Sequence, residues 1–145
     1  TPSSKAEVGE HDENISLAEC NALIGEELVG QISQISLSLY KVASYYAESK
    51  SIIIADTKFE FGLDANGKIY LIDEILTPDS SRFWPKEKYQ LGMSPPSFDK
   101  QFVRDWLESI EWDKLPPAPM LPDEIIANTA EKYLEAYTRL TGKLL

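Results

Sequence analysis

The sequence predicts an α+β fold, a hairpin-based antiparallel sheet flanked by helices. Two kinds of periodicity predict it, together with one turn signal. Residues 52–62 open as an apolar run, Ile52-Ile-Ile-Ala, and then alternate, with Asp56, Lys58 and Glu60 on one face and Thr57, Phe59 and Phe61 on the other. Asn66-Gly67 follows, a dipeptide that favours tight hairpin turns. Elsewhere apolar residues recur three and four apart, the helical spacing.

Residues 1–15 are polar and read as a loop. Ser16 with Glu19 three residues on is a capping box, so a helix should start there. Gly25 is a candidate interruption. Ile24, Leu28, Ile32, Ile35, Leu39, Val42 and Tyr46 then form the expected buried stripe of a long helix ending near Ser49. The predicted hairpin strands are 52–62 and 68–76. With Asn66-Gly67 as a two-residue turn, Ala65 pairs with Lys68, and counting outward sets Glu60 opposite Asp73. Pro78-Asp79 marks a turn and places Ser81 and Arg82 in a loop. Residues 86–98 read as irregular. Ser97 is the expected cap of a helix whose apolar positions are Phe102, Val103, Trp106 and Leu107. Pro116, Pro117, Pro119 and Pro122 form a stiff connector, Pro122 entering the first turn of a last helix. Ile126, Ala130, Tyr133, Tyr137 and Leu140 should be its buried stripe, and Gly142 its stop.

The chain of 145 residues suits one domain or one lobe; 43% hydrophobic and 26% charged residues are the balance of a globular protein. With 14 Lys and Arg against 24 Asp and Glu, the formal charge is −10, which argues against broad nucleic-acid or anionic-membrane binding while leaving a local anion site open. The lone Cys20 permits no internal disulfide, so a cytoplasmic location is the default, and no apolar run approaches a membrane span. The opening Thr1-Pro2-Ser3-Ser4-Lys5 reads as the middle of a loop, and a fragment is expected.

Like charges directly opposed across a hairpin destabilise it. Glu60 opposite Asp73 therefore has two readings: a divalent-cation site, since two carboxylates plus phosphate oxygens suit Mg²⁺, or a solvated strand face whose charges never meet. Lys58 either presents a compact positive charge to a substrate anion or neutralises its acidic neighbours. Arg82 beside small hydroxyls suits a phosphate grip. Lys100 and Arg104, four apart, share a helix face that either extends the anion site or is plain surface. His11, Asp12, Glu13 and Asn14 are dense in polar function, but one histidine without a cysteine pair makes zinc a poor fit. Glycine-rich phosphate loops and a His-Arg-Asp kinase motif are absent from the chain.

The segments 5–15 (KAEVGEHDENI), 54–62 (IADTKFEFG), 72–84 (IDEILTPDSSRFW) and 99–107 (DKQFVRDWL) closely resemble, in order, those of the phosphoribosylaminoimidazole-succinocarboxamide synthase (SAICAR synthetase) family. The resemblance implies an ATP-dependent carbon–nitrogen ligase of purine biosynthesis that joins L-aspartate to carboxyaminoimidazole ribonucleotide through an acyl phosphate. It implies a two-lobed enzyme similar to ATP-grasp and kinase folds, with residues 1–145 as the C-terminal catalytic lobe and the N-terminal ATP-binding β lobe as its missing partner. Glu60 and Asp73 are then the expected ligands of ATP-bound Mg²⁺. Asp56 and Lys58 become the catalytic contacts to the imidazole nucleotide, Asp56 either directly or through a second metal. Arg82, helped by Ser81, would hold the 5′-phosphate, with Lys100 and Arg104 lining that site. Lys5 would lie near the nucleotide phosphates, and His11, Asp12, Glu13 and Asn14 near the aspartate and imidazole pockets. This chain alone should be inactive. A non-catalytic phosphate-binding module is the rival from another class, separable by whether the isolated chain binds ligand tightly.

Overall fold

In the computed structural model, residues 1–4, 12–93, 95–98 and 100–145 are described. The chain divides into two compact units, Thr1–Leu39 and Tyr40–Leu145, the boundary falling within a long helix.

In the first unit Ser3 bridges Asn14, the Ser4 amide donates to the Glu13 carbonyl at 2.9 Å, and the Ile15 amide to the Pro2 carbonyl at 3.0 Å. Helix α1, Leu17–Ile24, begins at the predicted capping box: the Glu19 amide donates to Ser16 Oγ, and the Ser16 amide donates to Glu19 Oε2 at 2.7 Å. The N-terminal hydrogen bonds from Ser16 hold the Glu19 carboxyl below its usual range. Gly25, at φ 88°, ends α1, and α2 runs Glu26–Ser49.

The second unit is built around two two-stranded antiparallel sheets. Strand β1 (Ile52–Thr57) pairs with β4 (Ser81–Pro85), and β2 (Glu60–Leu63) pairs with β3 (Ile69–Asp73). A short 3₁₀ turn, Lys86–Lys88, follows β4; helices α3 (Gln101–Ser109) and α4 (Asp123–Thr141) pack on each other. Ala47 of α2, Ile52 and Ile54 of β1, Phe83 of β4, Phe98, and Ala136 of α4 form the core, with Tyr40, Ala43, Leu76 and Leu140 against it. Ile52 and Phe98 are 0% and 1% exposed, and each such side chain contributes roughly 1.5–3 kcal/mol by leaving water. The Tyr40 hydroxyl donates to the Ile54 carbonyl at 2.7 Å and the Tyr46 hydroxyl to the Leu140 carbonyl at 2.6 Å, fastening α2 to β1 and to α4.

Several expectations need correcting. The predicted first strand, 52–62, is two strands in different sheets, so Asp56, Lys58 and Glu60 do not share one continuous strand face. Ser81 and Arg82 lie on β4, not in a loop; Ser81, Phe83 and Pro85 face the core and alternate with Arg82 and Trp84. The Ser97 hydroxyl caps no helix but donates to the Phe83 carbonyl at 3.1 Å, and α3 begins after Lys100 without a side-chain cap. Pro122 is the N-cap residue of α4, one position outside its first turn. The α2 stripe is rotated, turning Tyr40, Ala43 and Ala47 to the core and leaving Val42 and Tyr46 exposed; α4 brings the expected Leu140 against the core, but its most buried residue is Ala136 and Ile126 is exposed. Alanines let a helix axis approach a sheet closely, whereas the larger side chains fit only at the margin.

Candidate active site

Each of the two sheets carries a bulge immediately before an acidic residue. In β1, Ile52 and Ile54 face the core opposite Pro85 and Phe83, and strand parity would send Asp56 inward after them. The register shifts at Ala55, so Asp56 pairs with Arg82 on the exposed face, and Thr57 turns inward opposite Ser81. In the hairpin, Asp64 Oδ1 accepts the amides of Asn66 and Lys68, both at 2.9 Å, and the Gly67 amide donates to the Asp64 carbonyl at 3.0 Å. The loop is therefore three residues, Ala65–Gly67, with Gly67 left-handed at φ 79°, and the expected Ala65–Lys68 pair does not form. Leu63 faces Ile69 and Phe61 faces Leu71, one residue away from the expected register. The second bulge, at Ile72, restores it: Glu60 stands opposite Asp73, as expected. Without that bulge Asp73 would share the face of Ile69 and Leu71, away from Glu60.

Arg82 donates to both carboxylate oxygens of Asp56, from Nε to Oδ1 at 2.8 Å and from Nη2 to Oδ2. This fork holds the Asp56 carboxyl below its usual range, the charges of Arg82 and Arg104 adding to the effect against some burial. The Ser81 hydroxyl is buried and shares a 2.8 Å hydrogen bond with Thr57 Oγ1, on the side of the strand away from Arg82. Lys100 Nζ donates to the Asp79 carbonyl at 3.4 Å. The Asp79 carboxyl is held low, first by the Thr77 side chain, with Lys100 assisting. Arg82, Lys100 and Arg104 thus bring positive charge to the start of β4 in a chain whose total charge is −10.

Lys58, in the link between β1 and β2, reaches Glu74 Oε1 at 3.0 Å. Glu74 directly follows Asp73, and its amide donates to Asp73 Oδ1 at 2.8 Å. Neither Glu74 nor Thr57 was among the sequence candidates. Adjacency of Glu74 to Asp73 was the available signal for one; inward alternation concealed the other.

Glu60 and Asp73 fit a magnesium ion by chemistry and number. Among the described residues no group of three or more His, Cys, Asp or Glu gathers as a ready-made cage. Two hard carboxylates on one face leave the remaining positions to water and phosphate oxygens, the usual division for this ion. Asp12, Glu13 and Asn14 lie exposed in the first unit, Glu13 and Asn14 paired with Ser4 and Ser3. The candidates Lys5 and His11 lie outside the described residues. No helix among the described residues is long and apolar enough to cross a membrane.

The SAICAR synthetase family model matches residues 1–119. The chain belongs to the SAICAR synthetase family. The phosphoribosylaminoimidazole-succinocarboxamide synthase of Methylobacillus flagellatus is 66% identical over 143 residues, 99% of this chain and 48% of that protein. The solved SAICAR synthase of Saccharomyces cerevisiae, complexed with SAICAR, matches with a TM-score of 0.81 at 47% identity, covering 92% of this chain and 44% of that one. A SAICAR synthetase in complex with ADP matches with a TM-score of 0.67 at 30% identity, covering 93% and 47%. The chain therefore spans about half the length of the SAICAR synthetases it matches.

Proposed function

We propose that this chain is the C-terminal lobe of an ATP-dependent ligase that joins L-aspartate to carboxyaminoimidazole ribonucleotide, giving SAICAR, ADP and phosphate. The observation that carries the reading is the pairing of Glu60 with Asp73 on one face, in the same unit as Asp56, Lys58 and Arg82. Family membership and the SAICAR and ADP bound by related structures support it.

The imidazole carboxylate takes the γ-phosphoryl group, with release of ADP. The aspartate amine then attacks the acyl carbon, loses a proton and expels phosphate. Glu60 and Asp73 would hold Mg²⁺, which when bound supplies positive charge to the phosphate oxygens. Lys58 presents its ammonium to the transferring group or the carboxylate that receives it. Asp56 orients the imidazole nucleotide. Arg82 exchanges its intramolecular carboxylate for the ribonucleotide 5′-phosphate, with Lys100 and Arg104 beside it. Asp12, Glu13 and Asn14, with Lys5 and His11, would serve the remaining substrate contacts. The glycine-rich loop that covers the ATP phosphates would come from the other lobe, since the chain has none.

The test is SAICAR formation coupled to ADP release. The 145-residue chain by itself should give no turnover, and the complete ligase should turn over. In the complete ligase, Glu60→Gln or Asp73→Asn should lower kcat by ~100-fold or more. Robust turnover by the isolated chain, or wild-type rates in both variants, overturns the proposal.

A further inference from the structure

Lys58 occupies the short link between the two sheets, where its flexible stem needs an external hold to keep the ammonium in one place. That hold comes from Glu74. Its carboxylate accepts Lys58 Nζ at 3.0 Å and is the more sheltered partner, its side chain 21% exposed against 57% for the lysine. Its own amide donates to Asp73 Oδ1 at 2.8 Å. One residue therefore touches both the proposed phosphoryl-binding ammonium and a proposed metal ligand.

The backbone makes a purely decorative role for Glu74 uneconomical. Glu74 sits at φ 62°, in the left-handed region that side-chain-bearing residues avoid, and Leu76 repeats this at φ 53°. The Leu76 amide donates to the Glu74 carbonyl at 3.1 Å, and the Leu76 side chain packs against the core. The turn is thus anchored from below, and glycine would satisfy its backbone at lower cost.

We infer that Glu74 is a positioning residue: it holds Lys58 at the reacting phosphoryl and carboxylate groups and fixes Asp73 from the same turn. It acts through these neighbours and does not itself touch substrate. This inference rests on the proposed ligase reading.

Glu74→Gln, Lys58→Met and the double variant, made in the complete ligase, test it. Glu74→Gln should lower kcat by about tenfold and leave KM for ATP within about threefold, because orientation is lost and ground-state binding is kept. In the Lys58→Met background, already severely slowed, the same change should cost nothing further. Glu74→Gly relieves the backbone, so its unfolding midpoint should stay at or above wild type while kcat falls as far as in Glu74→Gln. A silent Glu74→Gln, a Glu74→Gly at wild-type rate, or an equal loss from Glu74→Gln with and without Lys58 overturns the inference while leaving the ligase reading intact. Wild-type kcat in Lys58→Met instead refutes the role given to Lys58 in that reading, and this inference falls with it.

Discussion

Replacing Asp56 with alanine should make the 145-residue chain bind phosphate more tightly. The Arg82 fork is engaged by Asp56, so a phosphate must displace that carboxylate to gain the guanidinium. The magnitude follows from exposure and geometry. The side chains of Arg82 and Asp56 are 54% and 50% exposed, so solvent screening limits the pair, while two parallel hydrogen bonds place it at the upper end of exposed ion pairs, about 1 kcal/mol. Removing that competition should lower the Kd for ribose 5-phosphate by about fivefold, read by calorimetric titration at low salt. The same substitution should lower the unfolding midpoint by about 2–4 °C. The pH dependence has a definite sign. The Asp56 carboxyl is held below its ordinary value of 3.8, so its stabilising effect is present above that pH and disappears as pH falls through the depressed value. Wild type and Asp56→Ala should therefore converge in stability in strong acid. Phosphate binding that is unchanged or weakened in Asp56→Ala would refute the competition, and Arg82 would then not be the phosphate-binding group.

Glu87 donates no proton but accepts Arg139 through both oxygens, at 2.7 and 3.2 Å, and Arg139 is the main reason its carboxyl is lowered from 4.5 to about 2. Its contribution is fully present above pH 4.5, declines below it and vanishes only as the pH falls through about 2, so acid-unfolding curves of Glu87→Gln and wild type should differ at neutral pH and merge only below about pH 2. Gly67→Ala places a Cβ at φ 79° without a steric clash from elsewhere, so the loss should be the backbone term alone, about 1 kcal/mol or a midpoint lower by about 2–4 °C. Thermal melts followed by circular dichroism measure it.

Some helix ends were legible in the sequence because they rest on local chemistry: the Ser16–Glu19 box, Gly25 and Gly142 stand where expected, whereas Ser97 and Pro122 misplaced the starts of α3 and α4. Helix phase was legible only in part, Leu140 reaching the core as expected. Burial followed the small residues Ala43, Ala47 and Ala136, which let neighbouring elements approach, whereas side-chain size had pointed to Val42, Tyr46 and Ile126. Strand β4 was hidden because Thr77-Pro78-Asp79-Ser80 is a genuine turn signal and Pro85 is a poor strand residue; only Phe83 and Trp84 spoke for it. The facing of Glu60 and Asp73 was reached through two offsets that cancel, a loop one residue longer than expected and a bulge at Ile72. Thr57 and Glu74 meet Ser81 and Lys58 only in the tertiary fold, and no spacing rule in one sequence reveals such partners.

The irregularities at Ala55 and Ile72 also govern how this chemistry can be moved. Transplanting Asp56, Glu60 and Asp73 by identity onto a uniform ribbon would drive one acid into the oily interior and split the other two across the scaffold. A designer must therefore copy the kinks together with the carboxylates, treating each two-residue step as the smallest transferable part.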